Sequence, residues 1–185
     1  MARKWRDGST RAYTPVWIFT ANDEATAGVK TKRSKEFPNV DSGDTRKFET
    51  ANDANIVWPQ SFRAAGAAGP IGLSVQLWEI DQGNADTIAK RTQQGFNVAA
   101  WVPVVGQWVS KVPSVVPDLI GEFVGDDLMG SRSILYTKRT LEKKLPAAGR
   151  SFTVKFHFSG GSGDIPFSLA GAPDYDLYLR VTRVS

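Results

Sequence analysis

The sequence has no cysteine, a single histidine and no long uninterrupted apolar run. Without cysteine there are no disulfides and no thiolate metal sites, so structural zinc of the usual kind is excluded. Any Ser-His-Asp or Cys-His scheme would have to use His157, which stands on the polar face of an alternating strand pattern and is disfavoured for that role. Prolines interrupt the apolar segments well short of the roughly 20 residues that a membrane-spanning helix needs.

Charge of either sign is also modest. The 185 residues include 23 basic and 19 acidic side chains, and the net charge of +4 is spread along the chain. This excess is too small to indicate nucleic-acid binding, and it suits a soluble protein with some affinity for anionic surfaces. The N-terminus is charged and leads into no apolar segment, so no secretory signal is visible and the compartment stays open.

The densest basic patch is in the first fifth of the chain. It consists of Lys30, Lys32, Arg33 and Lys35. Such a patch is typical of a solvated strand or loop, and the alternative is a site for lipid phosphate or acidic glycan.

Strand patterns occupy both ends of the sequence. Residues 16–20 are β-branched and aromatic, and residues 73–80 begin with strict alternation of apolar and polar side chains. Residues 152–158 alternate in the same way and predict a strand that exposes His157. Further strands are predicted at residues 45–49, 58–63 and 176–184. The length suits one mainly all-β domain over residues 1–185.

Residues 82–125 interrupt this β pattern. Asn84 and Asp86 are suited to cap a short helix that runs through Lys90, and three prolines divide the segment that follows. We therefore expect two or three short helices here, inserted into a β-protein.

The apolar part of this insertion is a candidate surface for a membrane or a partner. Trp101 and Trp108 are seven residues apart, a spacing that would place them on one face of a helix, and aromatic side chains favour the membrane interface. The predicted surface comprises Trp101, Val104, Val105 and Trp108. The alternative is a small second core folded against the rest of the domain, since soluble proteins rarely expose so large an apolar patch. A partner or oligomer interface would bury the same residues.

Four short motifs resemble those of the C2 domain family. They are GDTRKF at residues 43–48, NIVWPQSF at 55–62, LWEID at 77–81 and DDLMG at 126–130. C2 domains are antiparallel eight-stranded β-sandwiches whose loops at one end often hold Ca²⁺. The resemblance covers about residues 14–184. It implies a C2-like sandwich with the short-helix insertion of residues 82–125 in its third ligand-bearing loop.

The resemblance also implies a set of calcium ligands. They are Asp44 in the first loop and Glu79, Asp81, Asp126 and Asp127 at the stems of the third. Ca²⁺ takes about six to eight oxygen ligands and offsets the repulsion between clustered carboxylates. Without a metal, Asp81, Asp126 and Asp127 are explained as turn residues at strand ends, whose short side chains bond to the neighbouring backbone N–H groups.

The chain departs from the family pattern at three points. The aspartate that precedes the Asp44 position has no match, and Asp23 and Asp41 are the candidate replacements. Glu79 stands where an aspartate is expected. In addition, 45 residues separate Asp81 from Asp127 where the family has only a few.

The sequence therefore predicts a non-enzymatic, calcium-binding C2-like module that interacts with a membrane, a glycan or a protein. The alternative is a structural or assembly subunit, or a secreted toxin-associated component, that oligomerises without calcium. An enzyme is disfavoured and no catalytic residue is assigned, because the carboxylates are explained by turns or metal. The sequence also has neither a nucleophile motif nor a glycine-rich phosphate loop.

Overall fold

The computed structural model describes residues 14–23, 30–40, 43–50, 54–57, 71–80, 84–98, 103–104, 107–108, 127–158 and 174–184. These ranges form antiparallel sheets with few helices. The elements are β1 (Pro15–Asp23), β2 (Lys30–Arg33), β3 (Ile71–Glu79), α1 (Ala85–Val98), β4 (Pro103–Val104), β5 (Gln107–Trp108), β6 (Asp127–Tyr136), α2 (Lys138–Lys144), β7 (Ser151–Phe158) and β8 (Tyr175–Thr182).

Four strands form the main sheet, in the order β2-β1-β3-β6 with every neighbour antiparallel. Along its whole length β3 pairs on one side with β1, from Pro15 opposite Glu79 to Asp23 opposite Ile71. On its other side β3 pairs with β6, and Asp127 stands opposite Glu79. The register of β3 and β6 shifts at an irregularity between Leu77 and Trp78. Glu79 and Asp127 therefore share one end of the sheet, and Asp23 lies at the other.

One face of this sheet packs against the β7–β8 pair. Alternate side chains of β1 and β3 meet apolar side chains of β7 and β8, because a strand directs successive residues to opposite faces. Trp17 and the Phe158 ring make an edge-to-face contact, with ring centroids 5.0 Å apart. The buried core on this face comprises Trp17, Phe19, Phe37, Ala54, Val75, Leu77, Met129, Phe156, Phe158 and Leu177.

The opposite face is covered by α1. The side-chain amide oxygen of Asn84 accepts a hydrogen bond from the backbone N–H of Asp86 at 2.8 Å and so caps the helix. Ala85 and Ile88 of α1 then pack on the sheet, in a second cluster with Val16, Ile18 and Trp78. The Arg33 guanidinium, on the edge strand β2, lies 2.5 Å from the Asp86 carboxylate and ties that edge to the helix.

A buried polar contact lies between α1 and β3. Gln76 Oε1 accepts hydrogen bonds from Trp78 Nε1 at 3.1 Å and from the Thr92 hydroxyl at 3.4 Å. All three residues are at most 5% exposed. The glutamine therefore satisfies the indole N–H in a site from which water is excluded.

Between β6 and β7 the chain forms the short helix α2. Thr137 caps it by accepting a hydrogen bond from the backbone N–H of Thr140 at 3.2 Å. At its other end Leu145 is buried, and the Arg183 guanidinium donates to the carbonyls of Leu145 and Pro146 at 3.1 and 3.2 Å. These bonds attach the C-terminus of α2 to the end of β8.

The structure confirms the β-strands expected at residues 16–20, 73–80, 152–158 and 176–184. The strand expected at residues 45–49 is wrong, because this segment has no strand pairing and Phe48 packs on the rings of Phe19 and Phe37. The strand expected at residues 58–63 lies outside the described residues. Strand β6 and helix α2 were not expected. The described ranges contain six strands of four or more residues, and the eight-stranded sandwich stays a prediction.

The described part of the insertion contains one helix and one short strand pair, and residues 109–125, where further short helices are expected, lie outside the described residues. Helix α1 continues past Lys90 to Val98, and the next described elements are the paired strands β4 and β5. Because Pro103 pairs with Trp108 in antiparallel fashion, the chain reverses direction between the two strands. The helical face expected to carry Trp101 and Trp108 is therefore wrong.

Candidate functional site

The acidic sheet end is the end of the main sheet at which Glu79 and Asp127 stand opposite each other. Glu79 is 3% exposed. On its other side Glu79 is opposite Pro15, and the backbone N–H of Ile80 donates to the Thr14 carbonyl at 3.2 Å. Two of the residues predicted as calcium ligands are thus brought to adjacent strands by the register, although 47 positions separate them in sequence.

The other predicted ligands are placed differently. Asp44 is exposed and its carboxylate lies 2.7 Å from the guanidinium of Arg46, which also donates to the Asn39 carbonyl. Asp23 stands opposite Ile71, which is eight residues, or roughly 26 Å of strand, away from Glu79.

Asp41, Asp81 and Asp126 lie outside the described residues, and so does the side chain of Asp127. Among the side chains that the structure describes, no group of three or more histidines, aspartates and glutamates is arranged to hold a metal ion.

The basic patch makes contacts within the protein. Lys32 donates to the Ile56 carbonyl at 2.7 Å, and Lys35 lies 3.6 Å from the Glu49 carboxylate. Arg33 pairs with Asp86, and its hydrogen bond lowers the pKa of that carboxyl below its ordinary value. Lys30 belongs to the same edge strand, opposite Ala21. These contacts favour a structural role for the patch. A second structural role is that charged side chains on an edge strand hinder its pairing with other chains.

The predicted membrane or partner surface is described only in part. Val104 pairs with Gln107 and Trp108 with Pro103 in the β4–β5 pair. Trp101 and Val105 lie outside the described residues. No helix in the described portion has the length and apolar character to cross a membrane.

His157 is exposed on the outer face of the β7–β8 pair, as the sequence predicts. Its Nδ1 lies 2.9 Å from one carboxylate oxygen of Asp176, and the Lys155 ammonium lies 2.9 Å from the other. Hydrogen bonds from Lys155 first, and then from His157, lower the pKa of Asp176 below its ordinary value. Two neighbours thus share one carboxylate on an open surface.

Sequence reasoning missed a second charged surface. We call it the basic end, and it comprises Lys138, Arg139, Lys143, Lys144, Arg150 and Arg183. All six residues are exposed, and α2 has no buried residue. The helix follows Tyr136, which pairs with Ile71 at the sheet end opposite Glu79 and Asp127. The run KRTLEKK after the capping residue Thr137 was the available signal.

Comparison with protein-family models, with curated proteins and with solved structures finds no significant match. The likeness to C2 domains therefore depends on the four sequence motifs alone.

Proposed function

We propose that this protein is a non-enzymatic C2-like module that binds Ca²⁺ at the acidic sheet end and engages a membrane, a glycan or a partner protein there. The observation that carries the proposal is the β3–β6 register, in which Glu79 stands opposite Asp127. Asp81 follows Glu79 by two residues and Asp126 immediately precedes Asp127. Two further carboxylates therefore adjoin this pair in sequence.

The physical argument is one of charge. Residues directly opposite each other in antiparallel strands have Cα atoms about 4.5 to 5.5 Å apart, and a chain spans at most about 3.6 Å per residue. Carboxylates gathered at such distances repel one another, and burial of Glu79 raises the cost of its ionised form. A divalent cation with an affinity for oxygen ligands offsets both effects, and Ca²⁺ accepts the irregular coordination that loop residues provide.

The proposed architecture is the eight-stranded antiparallel sandwich of C2 domains. The main sheet and the β7–β8 pair support it, because their facing side chains form one buried apolar core. Two sheets that pack face to face in this way are the basis of β-sandwiches.

Calcium titration during thermal unfolding tests the metal site. We expect the melting temperature to rise with millimolar Ca²⁺, because a ligand specific for the folded state stabilises it by about 2.7 kcal/mol at 100 times its Kd. The same concentration of Mg²⁺ should cause no rise, because Mg²⁺ demands a stricter octahedral geometry. Asp81→Asn and Asp127→Asn should each reduce the rise. Glu142→Gln, which removes an exposed carboxylate on α2, should leave it unchanged. The absence of any shift in the unmodified protein would refute calcium binding.

Flotation with vesicles, in Ca²⁺ and in chelator, tests the binding function at the same end. We expect a calcium-dependent component that Asp127→Asn abolishes and that the double substitution Trp101→Ala/Trp108→Ala weakens. Glycan arrays and affinity capture, each compared with and without chelator, extend the test to the other two ligand classes. A stable oligomer that is indifferent to calcium in light scattering would favour an assembly subunit instead.

A further inference from the structure

We propose that the basic end is a second interaction surface, which docks onto an anionic phospholipid bilayer without calcium. The surface lies at the end of the molecule opposite the acidic sheet end, and its six cations belong to the helix α2, the turn after it and the residue that follows β8. The proposal is independent of the calcium site.

Backbone contacts hold these cations together. The Gly149 N–H donates to the Arg183 carbonyl at 2.7 Å, and the Arg183 N–H donates to the Arg150 carbonyl at 3.0 Å. The Arg183 side chain donates to the carbonyls of Leu145 and Pro146, directly after the C-terminus of α2, where the helix dipole favours positive charge. Helix and strand end therefore form one continuous surface.

Half of the cations of this surface make no ion pair among the described residues. Glu142 is the single acidic residue of α2, and its carboxylate lies 3.9 Å from Lys138 Nζ. Within the part of the chain that the structure describes, Arg139, Lys143 and Arg150 make no ion pair. The basic end thus has six basic residues, and α2 has one acidic residue.

A bilayer suits this surface better than a nucleic acid does. Clusters of about four to eight lysines and arginines are typical of surfaces that attract anionic lipids. Helix α2 has no aromatic side chain on which bases would stack, which is the usual means of binding single strands.

Vesicle flotation in chelator tests the proposal on the full chain. We expect binding to phosphatidylcholine vesicles that contain about one third phosphatidylserine and none to phosphatidylcholine alone, because anionic lipids supply the attraction. Raising the salt from about 0.1 M to 0.5 M should release the protein, since the electrostatic screening length shortens.

Arg139→Gln/Lys143→Gln is the decisive variant, because these residues lie four apart and share one side of α2. We expect its partition onto anionic vesicles to fall by at least about tenfold. Lys47→Gln/Lys90→Gln removes the same charge from two exposed lysines elsewhere and should change partition by less than about twofold. Unchanged melting temperatures establish that both variants fold.

Three results would each overturn the proposal. The first is equal binding to neutral and anionic vesicles. The second is an equal loss of binding in the two double variants. The third is binding of single-stranded or duplex DNA, measured by fluorescence anisotropy, together with no binding to anionic vesicles.

Discussion

Gly130 of β6 lies against the Phe158 ring of β7. It is buried, and an added Cβ would lie 2.9 Å from Cδ1 and 3.7 Å from Cε1 of the Phe158 ring. Phe158 is 1% exposed and packs edge-to-face with Trp17, so the ring has no solvent space into which to move. We therefore predict that Gly130→Ala is destabilising.

The size of the effect follows from two opposing terms. Overpacking of a well-packed core costs about 1 to 3 kcal/mol, and replacing glycine by alanine within a strand returns about 0.5 to 1 kcal/mol of backbone entropy. The midpoints of the two ranges differ by about 1 kcal/mol, which is the net loss we expect. At this chain length each kcal/mol lowers the melting temperature by about 2 to 4 °C.

Chemical unfolding followed by tryptophan fluorescence measures this loss. Phe158→Leu replaces the rigid ring by a smaller side chain that can turn its Cδ atoms away from Gly130, so the double variant should be more stable than the sum of the two single effects predicts, by at least about 0.5 kcal/mol. Gly149→Ala is the control, because Gly149 has a φ of +78° and open space around its Cα. Its cost is backbone strain that Phe158→Leu cannot relieve. A Gly130→Ala protein as stable as the parent would refute the packing argument.

Three further substitutions test contacts described above. Gln76→Leu should cost about 1 to 3 kcal/mol in urea unfolding, because it leaves the buried Trp78 N–H without its acceptor. Thr137→Ala should cost about 1 kcal/mol through loss of the cap, seen as faster amide hydrogen exchange in α2. Asp86→Asn should cost up to about 1 kcal/mol at neutral pH. Because pairing with Arg33 lowers the folded-state pKa of Asp86, that stability is present above the ordinary pKa and is lost as the pH falls through the lowered one. Parent and variant should therefore converge in acid-unfolding curves.

The alternation of apolar and polar residues predicted the strands in which one face is more buried than the other along the strand. In β7, Phe156 and Phe158 are buried while Lys155 and His157 are exposed, so the burial follows the alternation read from the sequence. Strand β6 has a glycine and two serines in its middle, so its first apolar pair does not continue as an alternating pattern. Strand β6 is recognised as a strand by its pairing with β3, and the two strands are far apart in sequence.

In the insertion, the spacing of Trp101 and Trp108 alone gave a wrong prediction of a shared helical face. A separation of seven residues places two side chains together only if the segment between them is helical, and the chain between Pro103 and Trp108 reverses as a strand pair. Helix α2 has seven residues and buries none of them, so it had no apolar stripe to detect. The pairing of Glu79 with Asp127 came from the resemblance, which treated the two motifs as stems of one loop; composition and periodicity contain no information on that register.

The order of the main sheet also determines when it can form. The innermost pairs are Asp23 with Ile71 and Glu79 with Asp127, so each of these interfaces closes a loop of about 47 residues before any contact is gained. Such non-local pairing slows folding. During synthesis β1 cannot pair with β3, nor β3 with β6, until the later strand has been made. Until then Trp17, Phe19 and Leu77 remain unburied. A chain that stops before β6 would leave one edge of β3 unpaired, and we expect truncations at that point to aggregate.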